Sequence, residues 1–152
     1  MKNKFSSWLL ILFASLFTAC SSDSSEKLSE EDLLKQKLNG EWVVSQQNMI
    51  YSVLINSDGG GMIDVYEYVN KLWEQSAVPL QYTLSGERIT LHLKGSDTPL
   101  NFTGFIAVTG NSLSFRMNEA GQEQTFMLTR NDNDDQIINK MKQDIEENWI
   151  EV

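Results

Sequence analysis

Residue types able to carry chemistry are sparse in this chain. The candidates are one histidine, His92, one cysteine, Cys20, the glycine run from Ser57 to Gly61, and the acidic run Asp132, Asn133, Asp134, Asp135. Counted from Asp132, an EF-hand loop would need Gly at its sixth position and Glu at its twelfth. The chain has Ile137 and Gln143 there, so both the sharp turn and the bidentate ligand are missing. The glycine run has no Lys-Ser/Thr after it and reads as a hairpin connection, not a phosphate cradle. One imidazole cannot assemble a zinc site of the usual kinds, and no G-x-S-x-G elbow is present for it to activate. Acidic pairs are abundant, but carboxylate catalysis depends on a separation that spacing does not reveal. The expectation is a protein that is not an enzyme, holds no metal or cofactor, and works by binding.

Cys20 belongs to a different chemistry. Lys2 and Lys4 precede an apolar run from Phe5 to Phe17, interrupted by Ser6, Ser7 and Ser15, and then come Thr18, Ala19 and Cys20. Thirteen helical residues rise roughly 20 Å against a ~30 Å hydrocarbon core, which fits an export signal and not a permanent span. A lone cysteine also rules out an intrachain disulfide. Small residues directly before Cys20 resemble the lipobox of bacterial lipoproteins. The resemblance implies removal of residues 1–19 and a diacylglyceryl thioether on Cys20, with further acyl chains such as palmitate giving stable anchoring. Residues 20–28 are rich in serine with Asp23 and Glu26, too polar and too short to be a domain, and read as a tether. Ser21, in place of Asp after the cysteine, implies by similarity to Gram-negative lipoproteins sorting to the outer membrane. The leaflet is left open. The competing reading of Cys20 is a buried or unpaired thiol.

Net charge is -9, and most of the chain is acidic without a basic stripe. Phosphate backbones would be repelled, so nucleic acid is excluded as a partner.

The folded body is expected over residues 29–152. Ser29 as N-cap, Asp32 three residues on, the stripe Leu33, Leu34 and Leu38, and the stop at Asn39 and Gly40 predict a helix over Glu30 to Leu38. From Glu41 to Arg130 the apolar period becomes two. Ile89, Leu91 and Leu93 alternate with Arg88, Thr90, His92 and Lys94, and Leu113, Phe115 and Met117 alternate with Ser112, Ser114 and Arg116. Strands are predicted over 41–48, 50–56, 62–69, 79–84, 88–94, 101–108, 112–118 and 123–130, eight in about ninety residues. Short connections favour a meander, and a meander of eight amphipathic strands removes its edges by closing. The fold class expected is all-β, an eight-stranded up-and-down antiparallel barrel with a short N-terminal helix and a C-terminal helix. Ile138, Met141, Ile145 and Trp149, at helical spacing, predict that last helix from near Asn133, packed on the barrel wall.

The stretch Leu38-Asn-Gly-Glu-Trp42 resembles the G-x-W opening of lipocalin-like bacterial lipoproteins, with Gly40 and Trp42 at the motif and Arg130 at the family's late arginine. In a closed barrel the first strand begins beside the end of the eighth, so Arg130 would stack on the Trp42 indole. The plainer reading is a glycine helix stop followed by an ordinary core tryptophan. Two functions follow. One is a small apolar or amphipathic ligand held inside the barrel, with Trp42, Val44, Tyr82, Leu91, Phe115 and Phe126 as inward candidates. The other is an accessory or inhibitor that contacts an envelope protein partner while its barrel core is filled. Tyr66, Tyr68 and Trp73, aromatics set among charges, motivate that one.

Overall fold

A computed structural model describes residues 28–94, 100–133 and 135–149, so residues 1–27 lie outside it, with the signal segment, Cys20 and nearly all of the tether. Helix α1 spans Glu30–Leu38. Its cap is the one the sequence encodes: the Ser29 hydroxyl accepts from the Asp32 backbone N–H at 3.1 Å and donates to the Asp32 carboxylate at 2.6 Å. That hydrogen bond, foremost among several influences, holds the Asp32 carboxyl below its ordinary range.

Eight strands follow: β1 (Gly40–Gln46), β2 (Met49–Ile55), β3 (Gly60–Val69), β4 (Leu72–Ser85), β5 (Arg88–Leu93), β6 (Leu100–Thr109), β7 (Ser112–Glu119) and β8 (Gln122–Arg130). Each pairs antiparallel with the next, and β8 returns to β1 through Trp42↔Arg130 and Val43↔Thr129, so the sheet closes as an up-and-down barrel. The predicted fold class is the one the molecule adopts. Helix α2 (Gln136–Asn148) completes the body and contacts β2.

Tight two-residue connections set the register. Val69↔Leu72 and Glu119↔Gln122 are the last pairs of their hairpins, and the residues between them, Asn70 with Lys71 and Ala120 with Gly121, all have positive φ. That pair of positive dihedrals is what a type I′ hairpin needs to match strand twist.

Most strand ends fall within two residues of the sequence reading, and two of the differences change the structure. The turn after β1 falls at Gln47 and Asn48, inside the stretch expected to be strand, with Gln47 taking the positive φ. More consequentially, β4 begins at Leu72 and not near Pro79. The missed half pairs with the upper part of β3, making a long hairpin that reaches beyond the body of the barrel.

The inner face carries the core. Leu38, Trp42, Ile55, Tyr82, Ile89, Ile106, Leu113 and Leu128 form one buried cluster. Outside, Val43, Ile50 and Ser52 are buried as well, on the wall where α2 lies, together with Ile138 of the helix. Beside them the Glu41 carboxylate accepts from the Ser52 hydroxyl and from Asn131 Nδ2, the latter at 2.6 Å.

Candidate functional site

The barrel has two unlike ends, and the difference begins at Gly40. Its φ of +135° is closed to ordinary side chains, and a Cβ there would lie 2.7 Å from Arg130 Nη1. The chain therefore leaves α1 and enters β1 with no gap to spare. Trp42, fully buried, donates from Nε1 to the Leu38 carbonyl at 2.7 Å and so ties the helix end to the strand. Arg130 sits over it, its guanidinium carbon 4.4 Å from the indole centroid. Arg130 donates to the Asn39 and Lys37 carbonyls at 2.9 and 2.6 Å, which satisfies groups that the end of a helix leaves unpaired. Gly40, Trp42 and Arg130, singled out for barrel closure, thus meet at one point, and α1 plugs this end.

Tyr82 lies in the same packed half. Its hydroxyl donates to the Asn56 carbonyl at 2.7 Å, and burial, with a smaller contribution from Asp58, raises the phenol above its usual pKa. Neither Trp42 nor Tyr82 lines a cavity inside the barrel: both are core of the closed end.

The other half of the interior is open. A cavity of about 430 Å³ lies between Val44, Val53, Ile63, Leu91, Phe102, Phe115 and Phe126, with Gln46, Tyr51 and Gln124 among its polar members. Strand register delivers these side chains in opposed pairs, Leu91↔Phe102 and Phe115↔Phe126 among them, the two phenyl rings 6.3 Å apart between centroids. The volume lies within the ~300–1,000 Å³ range of small-molecule sites, and the wall has their usual make-up, apolar with a few polar groups. Of the six inward candidates, Val44, Leu91, Phe115 and Phe126 reach this space. Phe102, Ile63, Val53 and Tyr51 were missed by sequence reasoning, though the period of two in β2, β3 and β6 already puts them on the inner face.

His92 is on the outer face, its Nδ1 2.6 Å from Asn101 Oδ1. Among the described residues no three His, Cys, Asp or Glu side chains gather as a metal site. Asp134, within the acidic run, lies outside the described residues. The aromatic group that motivated the partner reading is engaged by α2. Trp73 Nε1 donates to Glu146 Oε1 at 2.6 Å, Trp149 meets Tyr68 edge-on at 5.6 Å between centroids, and Lys142 Nζ stands 4.3 Å from the Tyr66 ring centre. These rings thus pack against an amphipathic helix of the same chain, Tyr68 buried and Tyr66 and Trp73 half-buried.

No known family model matches this chain, and no curated protein is significantly similar to it. The class that the geometry itself defines is a closed eight-stranded antiparallel barrel, plugged at one end and hollow at the other.

Proposed function

We propose that the protein is a lipid-anchored, lipocalin-like binding protein of the bacterial envelope, attached through Cys20, whose barrel holds one small apolar or amphipathic molecule. The cavity of about 430 Å³ at the open end is the observation that carries this reading. Desolvating a ligand against its phenyl and aliphatic wall would contribute ~0.8 kcal/mol per buried methylene. Gln46, Tyr51 and Gln124 leave room for a polar end. With its base plugged by α1, the barrel would take an amphiphile chain first and keep its head near water.

Native mass spectrometry of the protein purified from its own host tests the binding half of this reading. A co-purifying small molecule, lost when Val44→Phe fills the cavity, is the expected result. A bare polypeptide mass under gentle desolvation, with no uptake of added amphiphiles, would overturn it. Labelled palmitate incorporated by the wild type and not by Cys20→Ala tests the anchor separately.

A further inference from the structure

Among the described residues, the proposed cavity opens onto a rim whose inner-face charge is one-sided. Ile63 lines the cavity, so by the unbroken β3–β4 register Val65, Glu67 and Val69 share its face with Leu72, Glu74 and Ser76. Glu67 and Glu74 are directly opposed across the two strands. Like charges in that relation cost stability, and nothing in the closure of the barrel requires them. Across the mouth, Met117 lines the cavity, which puts Glu119 on the inner face at the open end of β7. On the inner face of the described strands the one basic side chain is Arg130, at the closed end. Lys71 stands at the tip of the β3–β4 hairpin, already engaged within the molecule, and Lys94 follows Leu93 off the inner-face alternation, so the three inner-face carboxylates still outnumber both. Apolar surface continues up to this rim, where Leu72 and Leu100 are half or more exposed.

From this we infer that the barrel selects single-chain amphiphiles with a cationic head, such as an alkylammonium, over fatty carboxylates of the same chain length. The inference rests on the cavity reading above: the cavity is the site, and the carboxylates decide what can sit in its mouth. The cavity volume lies low in the range of small-molecule sites and suits one chain. A carboxylate head placed between Glu67, Glu74 and Glu119 would meet only like charge, whereas an ammonium would be attracted by all three, most strongly where the apolar walls exclude water.

The test uses dodecylammonium, dodecanol and dodecanoate, titrated into purified protein below their micelle-forming concentrations and followed by calorimetry. At low ionic strength dodecylammonium should bind at least about tenfold more tightly than dodecanoate, with dodecanol between them. That spread should narrow at high salt, as exposed charges are screened. In the Glu67→Gln/Glu74→Gln/Glu119→Gln variant dodecanol should bind as before while the preference disappears. Unchanged far-UV circular dichroism and a melting temperature no lower than wild type would establish that this variant is folded. If all three bind equally to the wild type, or if the preference survives in the variant, the inference is wrong while the cavity reading stands. If none of the three binds, the cavity reading itself fails.

Discussion

The guanidinium carbon of Arg130 lies 4.4 Å from the centre of the Trp42 ring, with its nitrogens donating to the carbonyls of Asn39 and Lys37. One side chain thus joins the last strand, the first strand and the helix that plugs the barrel. Hydrogen bonds from a charged donor contribute ~1.5–3 kcal/mol each when removed from a protected setting, and a cation over an indole ~0.5–2. Arg130→Ala should therefore cost about 2–4 kcal/mol in urea unfolding. Arg116→Ala should cost under about 1, since that arginine is exposed and lies 5.9 Å from the centroid of the half-exposed Phe105 ring. A Trp42→Phe/Arg130→Ala cycle with no coupling energy would contradict the contact.

Gly40→Ala should be far worse than Gly110→Ala. Both residues have positive φ, but at +135° Gly40 lies where side chains are rarely tolerated, and its Cβ would sit 2.7 Å from Arg130 Nη1. Gly110, at +57°, has nothing within 4 Å of the added methyl. About 1 kcal/mol is expected for Gly110→Ala and over about 2 for Gly40→Ala. Equal losses would show that the closed end can relax around Gly40.

The hollow and the packed halves of the barrel should respond oppositely to added volume. Val44→Phe projects into the cavity and should leave the melting temperature within a few degrees of wild type while abolishing ligand uptake. Ile89→Phe, in the buried cluster, should cost about 1–3 kcal/mol through forced repacking. Comparable destabilisation by the two would mean that the cavity is filled in solution.

Stability should decline at high pH, and Tyr82 should carry part of the decline. Burial raises the phenols of Tyr82 and Tyr66 above their ordinary value near 10. The unfolded chain then loses those protons first, so the contribution is complete below about pH 10 and is lost as pH climbs through the folded-state pKa. Tyr82→Phe removes the hydrogen bond to Asn56 and should cost ~0.5–1.5 kcal/mol at neutral pH. The gap to wild type should shrink in urea unfolding above pH 10, and a gap that widens there would reverse the assigned sign.

Period-two alternation read in β5 and β7, together with eight strands joined by short connections, was enough to expect a barrel, because each of those strands has one face in a core and one in water. The capping pattern of α1 was equally legible, since Ser29 and Asp32 act within one turn. The first half of β4 was not. Its inner face at Leu72, Glu74 and Ser76 rises past the core and is exposed, while its outer face at Trp73 is covered by a helix more than sixty residues away in sequence. Neither face carries the usual half-buried signature, and the Asn70–Lys71 turn contains no Gly or Pro to announce it.

Apart from the first half of β4, local sequence by itself determined the elements, their faces and the economy of closing them, because alternation, capping and turn chemistry all act within a few residues. Only the tertiary structure decided how the inward set divides. Trp42 and Tyr82 became packing at the plugged end, while Val44, Leu91, Phe115 and Phe126 were left around open space. That division depends on how far each strand rises above α1 once the ring closes, and on the volume eight tilted strands enclose, neither of which is a property of any one segment.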